Sequence, residues 1–120
     1  MIRQHKPPEQ SLIRLITKSA QKNPEATALI HGSETISYDN LQTRIHGLAA
    51  NFTKLGINKH DRVGIWLPNV PEWIESFFAC AHVGAIAVSI NTRFGRSEVA
   101  DILSRSECKA LIFSLNHKTT

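Results

Sequence analysis

The sequence predicts an α/β fold: a doubly wound, mostly parallel sheet with flanking helices and an N-terminal β-hairpin. First, three short apolar runs, at 63–67, 85–90 and 109–113, suit strands that are buried on both faces. Second, amphipathic stretches of helical length separate these runs, and strands joined by helices lie parallel. Third, 42% of the 120 residues are hydrophobic and 20% are charged, which is enough apolar material for a core.

The N-terminal segment predicts a helix followed by a hairpin. The helix opens at Ser11 and stops before Pro24, because the residue that precedes a proline avoids helical angles. Its apolar positions recur at helical spacing: Leu12, Leu15, Ile16 and Ala20. Two β-prone runs follow, at 26–30 and 35–37, and residues 31–34 form a turn that includes a glycine.

The longest predicted helix covers residues 38–54, with Ser37 as its N-cap. Gly56 and the apolar Ile57 predict a Schellman ending, in which Ile57 packs back on the last turn of the helix. The buried face of this helix is spaced accordingly: Leu41, Ile45, Leu48, Ala49 and Phe52.

The central unit is strand, helix and strand. We predict that Asn69 caps its helix, that Glu72 reaches back as in a capping box and that Pro71 occupies the first turn. Gly84 stands where a left-handed C-terminal cap is needed. One stripe of the helix is apolar: Ile74, Phe77, Phe78 and Ala81.

The last part of the chain predicts a turn at Gly95, a helix over 96–106 and the third buried strand. No helical pattern follows that strand to cover its second face. We therefore expect residues 1–120 to be the N-terminal portion of a larger domain, incomplete by itself.

Composition and charge exclude several classes. The net charge is +4, but Lys and Arg are interleaved with Asp and Glu, so no basic patch indicates nucleic-acid binding. The N-terminus has no apolar core of a secretory signal, and the apolar stretch 73–90 is broken by polar residues, so no membrane span is expected. Cys80 and Cys108 form no CxxC pair, which favours reduced, buried thiols and a cytoplasmic location.

Catalytic motifs are lacking in the sequence. The six glycines are isolated, so neither GxGxxG nor GxxxxGK[ST] is present, and no GxSxG elbow occurs. The six histidines show no HxxxH or HxH spacing. His46 and His82 are therefore interpreted as surface or core residues rather than ligands, with His82 placed to favour the helix dipole. We assign no catalytic, cofactor-binding or metal-binding residue.

Two groups remain as candidates by position. Trp66 and Trp73 flank Asn69, and either line the mouth of a pocket or pack in the core; core packing is favoured. The polar run 91–93 (Asn-Thr-Arg) follows a buried strand, where open α/β sheets bind ligands, but it is equally typical of a simple turn.

Taken together, these residues resemble the N-terminal portion of the AMP-binding (adenylate-forming) superfamily, in the acyl-CoA synthetase or fatty-acid–CoA ligase branch. The resemblance covers about residues 12–113. Four stretches match family patterns in order and spacing: 37–41 ([TS]-Y-x-E-L), 56–63 (G-[IV]-x-x-G-D-x-V), 67–72 ([LM]-P-N-x-x-E) and 81–91 (K-A-G-A-x-x-V-x-x-N).

The matches are imperfect at defined positions. Asn40 replaces the usual Glu, His60 the usual glycine, and His82 with Val83 the usual Lys-Ala. Residues 95–98 (Gly-Arg-Ser-Glu) replace the family's T-P-x-E, which removes a good cap and an N1 proline.

The resemblance implies a two-step reaction in which a carboxylic acid and ATP give an acyl-adenylate and pyrophosphate, and CoA then displaces AMP. It implies ATP, Mg²⁺ and CoA for the parent family, held by motifs that follow the matched region. We therefore expect this chain to be a scaffold portion without cofactors of its own, inactive alone and able to pair with the missing remainder of the enzyme. The alternatives are a non-catalytic interaction module that pairs with another chain through an exposed sheet edge and, more weakly, a flavodoxin-like nucleotide binder.

Overall fold

A computed structural model of the protein describes residues 8–114. The predicted order of elements is confirmed, with these bounds: α1 (Pro8–Lys22), β1 (Thr27–His31), β2 (Glu34–Ser37), α2 (Tyr38–Lys54), β3 (Arg62–Trp66), α3 (Pro71–Val83), β4 (Ile86–Ser89), α4 (Arg96–Arg105) and β5 (Cys108–Phe113). Residues 1–7, predicted to carry no secretory signal, and 115–120, predicted to add no helix, lie outside the described residues. So does the side chain of Leu12, which the sequence places on the apolar face of α1.

α1 begins at Pro8, three positions before the predicted start at Ser11. Proline is favoured in a first helical turn because its missing N–H has no helical partner there in any case. At the other end, the Asn23 N–H donates to the Ser19 carbonyl oxygen at 2.8 Å, and the helix stops before Pro24 as predicted.

The N-terminal hairpin is present. β1 and β2 pair antiparallel, with His31 opposite Glu34, and Gly32 adopts a φ of 60° in the turn. Two backbone bonds tie the hairpin to the start of α2: the Tyr38 N–H donates to Ala26 and the Asp39 N–H donates to Pro24. The hairpin is therefore fixed against the helical layer rather than against the parallel sheet.

The second sheet has the order β4-β3-β5, and both pairings are parallel. Adjacent residues of β3 point to opposite faces. Val63 packs with Phe52 of α2 and Ala79 of α3, whereas a Cβ added at Gly64 would lie 2.9 Å from Leu103 of α4. Helices therefore cover both faces of the sheet, which confirms the doubly wound α/β class.

Two apolar clusters hold these layers together. The first joins α2 and α3 to the parallel sheet, and its buried members are Phe52, Ile57, Val63, Ala79 and Cys80. The second joins the hairpin to the same two helices, and its buried members are Ile36, Leu41, Ile45 and Phe78. Since α2 and α3 belong to both clusters, their packing positions everything else.

The helix ends follow the predicted chemistry in α2. The Ser37 hydroxyl accepts from the Asn40 N–H at 3.1 Å. At the other end, the Ile57 N–H donates to Phe52 and the Gly56 N–H donates to Thr53, which is the Schellman pattern, and Gly56 has a φ of 84°.

The predicted capping box of α3 is wrong. The helix begins at Pro71 and its N-cap is Val70, which makes no side-chain cap bond. Proline in the first turn shifts the start one residue beyond the position that would make Asn69 the cap, and Glu72 then lies too early to reach back. The predicted C-terminal cap is confirmed: Gly84 has a φ of 77°.

Candidate functional site

A groove lies at the carboxyl ends of β3 and β5, where α2 and the first turns of α3 form its other walls. Its volume is about 960 Å³. Leu67, Ile112 and Phe113 supply apolar surface, and Phe113 is 53% exposed. Ligands of open α/β sheets bind at this edge, so this groove is the candidate functional site.

One ion pair crosses the groove. An Arg44 Nη1 lies 3.4 Å from an Oε2 of Glu75, which joins α2 to α3. Burial of Glu75 raises the pKa of its carboxyl group, and the hydrogen bond and charge of Arg44 oppose that rise. The Arg44 side chain is 41% exposed and that of Glu75 is 12% exposed. The pair therefore places a desolvated carboxylate at the helix interface, with its cation still in contact with water.

The run at 91–93 forms a turn. The Arg93 N–H donates to the Asn91 Oδ1 at 2.9 Å, and the Phe94 N–H donates to the Asn91 carbonyl oxygen at 3.1 Å. This Asx-type bonding uses the Asn91 side chain to close the chain after β4. The turn interpretation is confirmed, and none of these three residues lines the groove described above.

The tryptophans that flank Asn69 separate in the fold. Asn69 and Trp73 border a smaller crevice of about 260 Å³ between the hairpin and the start of α3, and Trp66 does not border it. Trp73 also stacks on Phe77, with ring centroids 5.5 Å apart. Trp73 thus combines the two roles that the sequence left open, and the ring of Trp66 belongs to the end of the central strand.

The fold brings together two histidines that the sequence treated singly. His46 of α2 and His82 of α3 contact each other edge to face, with ring centroids 4.9 Å apart. Partial burial lowers the pKa of His82, and the charge of His46 lowers it further. No spacing rule could find this pair, because each ring lies on a different helix and only the packing of those helices joins them.

One of the two cysteines, Cys80, has the buried and unreactive thiol that the sequence predicts. Cys80 is buried, and burial raises the pKa of its thiol to about 12. Cys108 is half-buried, with its Sγ 3.1 Å from the Ser106 Oγ. Both are free.

Two features of the described residues bear on whether they hold a metal ion or a phosphate group. Across residues 8–114 no group of three or more His, Cys, Asp or Glu side chains could hold a metal ion. The N-termini of α3 and α4 offer a single glycine, Gly95, rather than a loop of convergent N–H groups. In the same part of the chain, no helix has the length and apolar character needed to cross a bilayer.

These observations define a class: a doubly wound α/β scaffold whose candidate site is an apolar groove crossed by one ion pair. Comparison with known proteins identifies the family. The model of the AMP-binding enzyme family matches residues 16–120. The chain belongs to the AMP-binding enzyme family.

Sequence relatives are acyl-CoA synthetases and ligases. The chain is 35% identical over 103 residues to the feruloyl-CoA synthase of an Amycolatopsis species, covering 86% of this chain and 21% of that protein. It is 32% identical over 108 residues to the mitochondrial medium-chain acyl-CoA ligase ACSF2 of Macaca fascicularis, covering 88% and 18%. The chain therefore spans about a fifth of the length of these curated relatives. The resemblance inferred from the sequence motifs is confirmed.

Solved structures of adenylate-forming proteins share the fold. The O-succinylbenzoate coenzyme A synthetase MenE of Bacillus subtilis, in complex with AMP, superposes with a TM-score of 0.77 at 26% identity, covering 86% of this chain and 27% of that one. The N-terminal subdomain of Klebsiella oxytoca NpsA, in complex with 3-hydroxyanthranilyl-AMSN, gives a TM-score of 0.74 at 26% identity, covering 82% and 25%.

Proposed function

We propose that this chain is the N-terminal scaffold portion of an acyl-CoA synthetase and is inactive alone. The complete enzyme would join a carboxylic acid to CoA at the expense of ATP, through an acyl-adenylate, releasing AMP and pyrophosphate. The remainder of the enzyme would hold ATP, Mg²⁺ and CoA. A cytoplasmic location is part of this proposal, supported by the two free thiols, Cys80 and Cys108.

One observation carries the proposal: four of the residues that match the family's motifs serve in caps and turns. Ser37 caps α2, Gly56 and Gly84 end helices in the left-handed conformation, and Asn91 closes a turn. Each of these four residues shapes the backbone, which is what a supporting role requires.

The groove presents an exposed apolar surface that further polypeptide could cover. Its apolar wall includes Phe113, which is 53% exposed, and among the described strands β5 lies at an edge of its sheet. Apolar groups beside an unpaired strand edge favour pairing with further polypeptide. We propose that the rest of the synthetase supplies that polypeptide, which makes pairing with the remainder a requirement for activity.

The first test is ATP–pyrophosphate exchange by the purified 120-residue chain, with a panel of aromatic, medium-chain and long-chain carboxylic acids. We expect no exchange with any acid. The full-length feruloyl-CoA synthase of Amycolatopsis, assayed in parallel with ferulate, serves as the positive control. Robust exchange by the isolated chain would overturn the proposal.

A second test asks whether the scaffold is competent. Residues 12–113 replace the matching segment of the feruloyl-CoA synthase, and the chimera is assayed for CoA ligation. We expect activity above that of the synthase lacking the segment. The matched control carries Val63→Asp, which places a charge at a fully buried position and removes the scaffold. Equal activity of the chimera and this control would contradict a scaffold role.

The alternative function is a non-catalytic interaction module, and the edge strands of the parallel sheet support it. In the described part of the chain, β4 and β5 are both edges of the parallel sheet, and Ile86 on β4 is 45% exposed. Such edges add strands from other chains. Purification of the chain in a stoichiometric complex, together with a failed chimera, would favour this function; a monomer by light scattering would count against it.

A further inference from the structure

We propose that residues 115–120 dock in the groove at the carboxyl ends of β3 and β5, where Lys118 pairs with Glu72 on the α3 wall. This segment lies outside the described residues, and its sequence is Leu-Asn-His-Lys-Thr-Thr. The proposal does not depend on the synthetase function, because the groove and the segment both belong to this chain.

The place where the described residues end favours this occupant. Ser114, the last of them, lines the groove together with Ile112. The polypeptide that continues from Ser114 therefore starts at the wall of the groove. A segment tethered so closely has an effective concentration of about millimolar, which favours it over a separate molecule of equal intrinsic affinity. Six extended residues span up to about 20 Å, which is long enough to reach the other walls of the groove.

The period of the strand directs Lys118 to the side of the sheet on which the groove lies. Successive residues of a strand point to opposite faces. In β5, Ile112 packs against the cluster that α2 and α3 form, whereas Leu111 borders Gly64 on the face that α4 covers. Continuation of this period brings positions 114, 116 and 118 to the face of α2 and α3.

The charges of the groove and of the segment are complementary. Two carboxylates, Glu72 and Glu75, line the groove with one cation, Arg44. Arg44 pairs with Glu75, and within residues 8–114 the exposed Glu72 forms no ion pair. Burial raises the pKa of the Glu75 carboxyl, Arg44 opposes the rise, and the charge of Glu72 adds to it. The segment contains a lysine, a histidine and no acidic residue, so its ammonium group would offset the excess negative charge.

The first experiment traps the segment by a disulfide in the 120-residue chain carrying Cys108→Ser. Asn116→Cys is combined with Asn51→Cys on the α2 wall of the groove, or with Ser104→Cys on α4, across the sheet. A disulfide forms only where the two Cα atoms come within about 7 Å. In glutathione buffers, the effective concentration of the thiols should be much higher for the first pair. Equal values, no disulfide in either pair, or disulfide-linked dimers, in which a second copy supplies the segment, would overturn the proposal.

A second experiment tests the ion pair in the chain that carries cysteines at positions 51 and 116. Lys118→Glu should lower the effective concentration of the thiols about two- to fivefold, the range expected for one exposed ion pair. Glu72→Lys in the same chain should restore it, because the two charges are then exchanged. The matched control is Lys22→Glu, the same change at an exposed lysine of α1, which should have no effect. An unchanged value in Lys118→Glu, or a loss that Glu72→Lys does not restore, would overturn the proposal.

Discussion

Replacement of His60 by glycine should stabilise this protein, although it deletes a whole side chain. His60 has a φ of 73°, in the left-handed region that side chains with a Cβ disfavour. Its ring is exposed, and its N–H donates to the Gly84 carbonyl oxygen at 2.8 Å, a backbone bond that glycine keeps. The family pattern that the sequence resembles has glycine at this position, and the backbone angle supplies the reason.

The magnitude follows from two opposing terms. The left-handed conformation costs a residue with a Cβ about 1–2 kcal/mol, and glycine loses about 0.5–1 kcal/mol more conformational entropy on folding. The difference predicts a gain of roughly 0.5–1 kcal/mol in the free energy of unfolding for His60→Gly, or about 4 °C in Tm at this chain size.

Urea unfolding followed by circular dichroism measures the effect, with the slope of the transition checked to be unchanged. His60→Ala is the first control: it removes the ring but keeps the Cβ, and should give no gain. His31→Gly is the second, because the same replacement in the strand β1 should cost about 0.5–1 kcal/mol. If His60→Gly is no more stable than His60→Ala, the backbone argument is refuted.

Two further predictions concern buried groups. The pKa of Glu75 is raised above its ordinary value of 4.5, so the folded state binds its proton more tightly and the free energy of unfolding falls as pH rises from about that value through the higher folded pKa. Glu75→Gln should remove this pH dependence and increase stability at pH 7, since the half-exposed Arg44 stays hydrated, whereas Arg44→Met should cost about 1–3 kcal/mol because the carboxylate is then buried without its cation. Denaturant titrations at several pH values measure both effects. A Glu75→Gln variant that is less stable than the unmodified chain at pH 7 would contradict the reasoning. The second prediction concerns the thiols. Cys80, whose thiol pKa is near 12, should react with a disulfide reagent only on unfolding, while Cys108 should react in the folded chain. A Cys108→Ser variant should therefore bind no reagent until denaturant is added, and rapid labelling of that variant under native conditions would disprove this prediction.

Much of the fold could be predicted because its signals are local. The periodicity of apolar residues located the helices and strands within a few positions, and the glycines at 56 and 84 marked helix ends through the one backbone conformation that glycine alone adopts easily. The predicted N-cap of α3 is wrong for an equally local reason. Asn69 is a good cap, but Pro71 fixes the first helical residue, so that Val70 occupies the cap position. Two local preferences competed, and the covalent restriction on proline prevailed over a single hydrogen bond.

The candidate sites show the limit of sequence reasoning. The position of residues 91–93 at a strand end is compatible with a ligand site or a turn, and the structure shows a turn that Asn91 closes. The groove, by contrast, joins residues of α2, α3, β3 and β5 that share no motif. His46 and His82 have no second ligand at a recognisable spacing in the sequence, and the fold brings their rings into edge-to-face contact.

By itself, the sequence determined which segments are helix or strand, where they end, and the family to which they belong, because these depend on spacing and on the angles that glycine and proline allow. The tertiary structure alone decided the order β4-β3-β5, the groove at the strand ends, the desolvated Glu75 and the histidine pair. These depend on which surfaces meet when apolar faces leave water, and that burial is a property of the whole packed molecule rather than of any one segment.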